Sequence, residues 1–196
     1  MRTRILDTAL GLLGEHGVAH LTQPRVSKAA GVRQSHLTYY FPTRGDLLVA
    51  VARHSLEAIA RPLVSQARAG AISAERIPAA LIEALTDRRR VRVMLGLVAA
   101  ADEDPGVRDE LRETVHMLRG HFSTLFGLLG FPRNRQHVAL VHTVVVGSAV
   151  LYHACADDTA RRDAEAAVRF VTAVLPRLHR QAPRGRAVRK KTRGPL

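Results

Sequence analysis

Two short amphipathic segments separated by a glycine constrain the fold of this 196-residue chain more than any other feature. The first segment follows Thr22, a residue type that caps helices, and carries Pro24 in its first turn, where proline is well tolerated. Gly31 ends it because glycine readily adopts the left-handed conformation that closes a helix. The second segment covers residues 33–40 and stops before Pro42, which disfavours helix at the preceding residue. The pattern predicts two short helices that meet across a tight turn.

Helical signals continue on both sides of this pair. Apolar residues from Ile5 to Leu13 recur on one helical face, which predicts a first helix. Thr43 and Asp46 form an acidic version of the capping box and predict a long fourth helix, which we expect to end near Pro62. Five further helices are predicted at residues 74–87, 90–101, 105–129, 134–156 and 159–178. An all-α fold is therefore expected, in line with an aromatic content of only 4%.

The positive charge of the chain is concentrated near its C-terminus. The formal net charge is +13, but eight of the 30 basic residues lie in residues 177–196, where no acidic residue offsets them. Residues 181–196 also lack apolar periodicity and are expected to form a disordered basic tail. The overall excess favours a polyanionic partner, with nucleic acid ahead of an anionic membrane.

Cysteine content and hydropathy bear on the compartment. The single cysteine, Cys155, cannot form an intrachain disulfide, and the N-terminus lacks the apolar core of a secretion signal, so a cytoplasmic location is expected. The run at 138–156 is long enough to be considered a membrane span. His142, Tyr152 and His153 interrupt it and no aromatic anchors flank it, which favours a buried helix and no membrane partner.

Patterns typical of enzymes and metal sites are missing from the sequence. It contains no phosphate-binding glycine loop and no nucleophile elbow. The pairs His116/His121 and His137/His142 are five residues apart, which takes them off a common helical face. We therefore expect neither catalysis nor a metal ion or cofactor.

The paired short helices have the geometry of a helix-turn-helix, in which the second helix lies in the major groove of DNA. An ordinary corner between two helices would produce the same spacing. The stretch from Leu21 to Leu48 also resembles the DNA-binding signature of the TetR (AcrR-like) family of bacterial regulators. The resemblance rests on the run VSKAAGV at residues 26–32 and on Leu37, Tyr39, Phe41, Arg44 and Leu47.

Three positions depart from that signature. Arg33 stands where members often have a serine that caps the recognition helix, and its charge opposes the helix dipole. Thr38 replaces a frequent phosphate-binding tyrosine, and its shorter hydroxyl leaves that role open. Arg44 replaces the usual lysine, and its forked guanidinium can also grip a phosphate.

The residues of the predicted recognition helix, about 33–40, suggest separate roles. Gln34, Ser35 and His36 occupy its first turn and can hydrogen-bond to base edges, so they are the base-reading candidates. For Tyr40, packing against helix one is an equally good interpretation. The candidates for phosphate or backbone contacts are Arg2, Arg4, Thr22, Arg25, Arg33, Thr38, Tyr39, Tyr40 and Arg44.

The resemblance implies a homodimer whose last two helices form a four-helix bundle across the interface. Small residues at 147–149 suit close helix contact. The same apolar stripes could instead pack in the core of their own subunit. The interface candidates are Val138, Val141, Val145, Ala149, Val168, Val171, Val174 and Leu175.

The resemblance also implies a cavity for a small, often apolar effector among the middle helices. Methionines suit an adaptable pocket, and histidines or a tyrosine could supply its polar contacts. The same residues could be plain core. The pocket candidates are Met94, Leu95, Val98, Met117, His121, Phe122, Phe126, His142 and Tyr152.

The sequence thus predicts three regions: a three-helix helix-turn-helix DNA-binding domain at 1–45, a helical ligand-sensing and dimerisation domain at 46–180, and the tail at 181–196. The expected function is that of a sequence-specific regulator, a repressor released from a palindromic double-stranded DNA operator by a small effector. A basic protein that coats DNA without sequence preference is the alternative, and the tail supports it.

Overall fold

The computed structural model of the protein describes residues 1–131 and 133–181, with side-chain surroundings given up to residue 174. Within these ranges the regular structure is helical and contains no strand, which confirms the all-α prediction. The predicted tail lies outside the described residues apart from Gln181. The helices are α1 (Arg2–His16), α2 (Gln23–Ala29), α3 (Gln34–Tyr40), α4 (Arg44–Arg68), α5 (Ile77–Thr86), α6 (Arg88–Glu103), α7 (Pro105–Leu128), α8 (Arg135–Cys155) and α9 (Asp158–Gln181).

Glycines with positive φ close the first two helices where the sequence predicts it. Gly17 follows α1 with φ 80°, and a short 3-10 turn, Val18–His20, leads on towards α2. Gly31 has φ 62° and lies in the turn between α2 and α3. A side chain at either position would be strained, because residues with a Cβ rarely adopt this conformation. The two glycines therefore fix the tight path that sets α3 against α2.

The start of α4 is capped as predicted, but its end is not. The Asp46 amide donates to Thr43 Oγ1 at 3.0 Å and the Thr43 amide donates to Asp46 Oδ2 at 2.9 Å. The helix then runs through Pro62 to Arg68, so the expectation that it ends near Pro62 is wrong. Proline removes the bond to the carbonyl of Ala58, but both residues are exposed and water can satisfy that carbonyl.

The buried apolar residues form two clusters. The first joins α1 to α4 with the inner face of α6, through Val93, Leu97 and Ala101. The second lies among α5 to α9. Helix α6 contributes to both, since Val91 belongs to the second cluster. The N-terminal helices are therefore packed directly onto the larger bundle, and the boundary near residue 45 stays a prediction.

Helix α8 is long and apolar enough to cross a membrane by length and composition alone. In the structure it packs against α5, α7 and α9. Its inner face buries Val138, Val141 and Ala149 in the second cluster. Its apolar inner face therefore has the neighbours expected of a packed helix, as the interrupting histidines suggest.

Candidate DNA-binding surface and effector pocket

Helix α3 presents a polar face to solvent. Gln34, Ser35 and His36 are exposed, and they form the first turn of the helix. Tyr39 is 82% exposed and packs edge-on against Tyr40, with 5.4 Å between ring centroids. An aromatic ring this exposed contributes little to packing within the subunit, whereas contacts with DNA commonly use one. This face fits the dimensions of a major groove.

Anchors on the opposite side hold α3 in place. Leu37 is fully buried and Phe41, just after the helix, is 2% exposed. Gln23 Nε2 donates to the carbonyl oxygens of Phe41 and Pro42, at 2.8 and 2.9 Å. This clamp fixes the C-terminal end of α3 to the start of α2. The sequence analysis missed Gln23, since nothing local marks a glutamine that bonds to a carbonyl 18 residues away.

The predicted phosphate contacts surround this face. Arg25, Arg33 and Arg4 are exposed, and the guanidinium of Arg2 lies 5.6 Å from the centre of the Phe41 ring. That contact places the N-terminus beside the end of α3. Thr22 is the N-cap residue of α2, but its hydroxyl makes no capping hydrogen bond. Positive side chains on both sides of the polar face suit the two phosphate strands that border a groove.

Two predicted phosphate contacts already have partners within the chain. The Thr38 hydroxyl donates to the carbonyls of Gln34 and Ser35, at 3.1 Å each. Arg44 donates from Nε to the Leu21 carbonyl at 3.0 Å and from a terminal nitrogen to the Val18 carbonyl at 2.7 Å. Arg44 therefore ties the start of α4 to the segment before α2.

A cavity of about 520 Å³ lies among α4, α5, α6, α7 and α8. This volume falls within the range of small-molecule sites. The lining is mostly aliphatic, and Val98 on α6 is 52% exposed at its edge. Its few polar residues are Ser55, Arg90, Thr114, His121 and His142. The walls can therefore hold an apolar body and a small number of polar contacts.

The polar residues of the cavity differ in whether they are already bonded. The Thr114 hydroxyl donates to the Glu110 carbonyl and accepts from Arg53. Ser55 Oγ and His121 Nδ1 are buried and have no hydrogen-bond partner. An unsatisfied buried polar atom costs about 1 to 3 kcal/mol, so either atom would gain from a hydrogen-bond partner, although neighbouring atoms cover both as the side chains stand.

His142 is the most perturbed histidine of the cavity. Burial lowers its pKa, and the positive charge of Arg119 lowers that pKa further. Arg119 Nε donates to His142 Nδ1 at 3.3 Å. Since Nδ1 accepts, the proton of the neutral ring belongs on Nε2. His142 is therefore a neutral donor at the cavity wall near pH 7.

Comparison with known proteins connects the first of these features to a family. A sequence profile described as "Bacterial regulatory proteins, tetR family" matches residues 5–51, which span α1 to α3 and the start of α4. The structure of a TetR family member from Streptomyces coelicolor A3 is 27% identical, with a TM-score of 0.63 over 89% of this chain and 98% of that chain. Residues 5–51 therefore carry the sequence pattern of the tetR-family DNA-binding region. This confirms the resemblance that the sequence analysis drew from residues 21–48.

Two further similar proteins are informative. The HTH-type transcriptional regulator CymR of Pseudomonas putida is 30% identical in an alignment of 122 positions that covers 59% of this chain and 58% of CymR. The match thus spans a little over half of that relative. The structure of the multidrug binding protein EbrR, complexed with ethidium, is 25% identical, with a TM-score of 0.63 and coverage of 87% of this chain and 96% of that one.

The cavity contains most but not all of the predicted pocket residues. Met94, Leu95, Val98, His121, Phe122 and His142 line it. Phe126 is instead fully buried in the second cluster, where it stacks at 5.5 Å on Phe131. Met117 and Tyr152 also lie outside the lining, because their helices turn other residues towards the cavity. The contribution of α4, including Ser55, was missed.

The structure corrects the predicted interface. Val138, Val141, Ala149, Val168 and Val171 are at most 5% exposed and pack inside their own subunit. Val145 lines the cavity. Val174 is half-buried, and the side chain of Leu175 lies outside the described residues. The periodicity identified a shared helical face correctly, but that face turns to the interior, as the alternative interpretation had it.

A different apolar stripe of α8 and α9 faces solvent. Leu140 and Leu151 are 44% and 65% exposed, and both lie on α8 in line with Gly147. Phe170 on α9 is 72% exposed. A Cβ added at Gly147 would meet nothing within 4 Å, so a second helix has room to approach there. Together these residues, called the outer stripe below, are exposed apolar positions of the kind that subunit interfaces bury.

The N-terminal helices are linked to the cavity through α6. A terminal nitrogen of Arg92 donates to the Gly14 carbonyl at the end of α1, and the Arg89 stem lies against Gly14. A turn later, Gly96 is in close contact with Val18. These contacts place Arg89 and Arg92, from the basic start of α6, against the N-terminal helices. Among the residues that the structure describes, no cluster of three potential metal ligands occurs.

Proposed function

We propose that this chain is a sequence-specific DNA-binding transcriptional regulator. The observation that carries the proposal is the exposed first turn of α3, with Gln34, Ser35 and His36 uncovered while Leu37 anchors the helix from behind. Bidentate pairing of glutamine with adenine and donation from histidine to guanine are established modes of base recognition. The match of residues 5–51 to the tetR-family profile supports the same assignment.

The proposed regulator acts as a homodimer. One recognition helix reads too few base pairs for genomic specificity, and two-fold dimers solve this by reading two half-sites. The outer stripe of Leu140, Gly147, Leu151 and Phe170 supplies the contact surface. We propose that the stripe packs against its own copy in an isologous four-helix bundle.

We further propose that the cavity binds a small effector and that the effector releases a repressor from its operator in the cytoplasm. The cavity volume of about 520 Å³ and its aliphatic walls support a ligand site. A structurally similar protein is described in complex with ethidium, which shows that this architecture can hold an organic molecule. The bridge of α6 between the cavity and the N-terminal helices offers a physical connection.

Selection of bound fragments from a random double-stranded pool tests the proposal. We expect a palindrome whose half-sites are one helical turn, about 10 base pairs, or a multiple of it apart. Equal retention of random DNA at a salt concentration of about 0.15 M would support the coating protein instead, since nonspecific binding rests on phosphate charge alone. The polar first turn of α3 favours the sequence-specific function.

A further inference from the structure

The residues that line the cavity restrict the charge of the effector that it can bind. Its lining, among the residues that the structure describes, contains no aspartate or glutamate and one phenylalanine, Phe122. A buried cation needs a carboxylate or a cage of aromatic faces to replace its water. The only formal charge in the lining is positive, on Arg90, which already lies 3.4 Å from Asp87. An organic cation would find repulsion and no partner here.

The polar side chains of the lining restrict the polar end of the effector. Among the described residues, the cavity lining contains two helical hydroxyls. That of Thr114 donates back to a carbonyl of the preceding helical turn, whereas that of Ser55 has no hydrogen-bond partner. The Ser55 hydroxyl is covered as it stands and can donate to a guest once it rotates about its Cα–Cβ bond. His142 offers Nε2–H, since its Nδ1 accepts from Arg119, and His121 Nδ1 has no partner. The Ser55 hydroxyl and His142 Nε2–H are donors, and His121 Nδ1 is a third donor in the tautomer that carries its proton there, so an oxygen acceptor is the complementary guest group.

We propose that the effector is a non-cationic, largely apolar molecule whose polar end is an oxygen acceptor bound by Ser55, His121 and His142. This inference rests on the proposal that the cavity is the effector site. The aliphatic walls bind the body of the molecule, and the three side chains from α4, α7 and α8 select its polar end. Alcohols and carboxylates share this acceptor chemistry, and the test below separates them.

Isothermal titration of the purified protein without DNA, using four isosteric naphthalenes, tests the proposal. The probes are 1-naphthalenemethanol, 1-naphthoate, 1-ethylnaphthalene and 1-naphthylmethylammonium. We expect one or both of the alcohol and the carboxylate to bind, about tenfold or more tighter than the hydrocarbon, because of hydrogen bonds the hydrocarbon lacks. We expect the ammonium to bind about a hundredfold or more weaker. Ammonium binding as tight as the alcohol, no advantage of either oxygen probe over the hydrocarbon, or no binding by any probe would overturn the proposal.

Variants assign the effect to the named side chains. Ser55→Ala and His121→Leu should remove the advantage of the oxygen probe over 1-ethylnaphthalene and leave binding of the hydrocarbon itself unchanged. His137→Leu is the matched control, because His137 Nδ1 is also buried without a partner but lies outside the cavity. The assignment would be contradicted if His137→Leu lost the preference for the oxygen probe over 1-ethylnaphthalene, or if both cavity variants kept that preference.

The melting temperature without ligand gives an independent readout. Ser55→Ala deletes an unsatisfied buried hydroxyl, so the variant should melt at the same temperature as the wild type or higher, whereas loss of a structural hydrogen bond would lower it. Since none of these measurements uses DNA, failure to find an operator would sink the proposed function and leave this inference standing. An operator found together with equal binding of all four probes would support the proposed function and contradict this inference.

Discussion

At the residue scale, Arg44 holds the start of α4 to the chain before α2 through two carbonyls, those of Leu21 and Val18. We expect Arg44→Ala to lower the free energy of unfolding by about 1 to 2 kcal/mol, since charge-assisted hydrogen bonds are lost at a partly exposed site. Urea denaturation followed by circular dichroism measures this. Arg25→Ala, which removes an exposed arginine of the same surface, is the control and should change stability by less than about 0.5 kcal/mol. Equal stability of the two variants would contradict the internal role of Arg44.

His142 makes stability depend on pH in a predictable direction. Its pKa is lowered by burial and by Arg119, so the folded state resists a proton that the unfolded state accepts. Stability from this group is therefore present above about pH 6.5 and is lost as the pH falls from there through the folded pKa. We expect His142→Gln to lose less stability than the wild type between about pH 7.5 and 5.5.

His153→Gln provides a comparison for that experiment. Burial also lowers the pKa of His153, which lies outside the cavity. Each variant should therefore lose less stability than the wild type as the pH falls. Parallel profiles for the wild type and His142→Gln in thermal melts across this pH range would show that His142 does not titrate as its surroundings require.

At the element scale, α4 carries an exposed proline in its interior. Pro62 leaves the Ala58 carbonyl without its helical partner, and alanine at this position would restore the amide donor. We expect Pro62→Ala to raise the free energy of unfolding by about 1 to 3 kcal/mol. Gln66→Ala, an exposed substitution one turn later, should stay within about 0.5 kcal/mol of the wild type. A destabilised Pro62→Ala protein would mean that the proline itself is needed for the packing of α4.

The same scale shows what the sequence could predict and what it could not. Thr43, Asp46 and Gly31 act through their immediate neighbours, so the start of α4 and the turn before α3 were predictable from local chemistry. The passage of α4 through Pro62 depends on packing against α6 and α7, which local rules do not contain. The predicted recognition helix matched α3 to within one residue because its limits are set by Gly31 and Pro42.

The two apolar faces of α8 show a further feature that the sequence pattern could not predict. Periodicity places Val138, Val141 and Ala149 on one face, but both an inner and an outer face of α8 are apolar. Only the positions of α5, α7 and α9 decide which face is covered. For the same reason the pocket prediction found residues on α6, α7 and α8 but missed Ser55 on α4, because the sequence does not reveal which face of α4 turns to the cavity.

At the scale of the whole molecule, the outer stripe should control assembly. We expect the double variant Leu151→Lys and Phe170→Glu to be a folded monomer in sedimentation experiments, because charges would be buried at the contact. Its operator affinity should fall steeply, since two half-sites could no longer be engaged together. Leu128→Lys is the control, as Leu128 is an exposed leucine at the end of α7, away from the stripe. A dimeric double variant would place the interface elsewhere.

The central claim is that the first turn of α3 reads DNA sequence while the arginines around it contribute affinity. Repeating the random-pool selection with Gln34→Ala and with Arg25→Ala tests it most directly. We predict that Gln34→Ala changes the base preferred at one symmetric position of each half-site and keeps the spacing. Arg25→Ala should retain the wild-type sequence, bind all DNA more weakly and reduce the salt slope by about 0.9. An unchanged base preference in Gln34→Ala, with a uniform loss of affinity, would contradict the account.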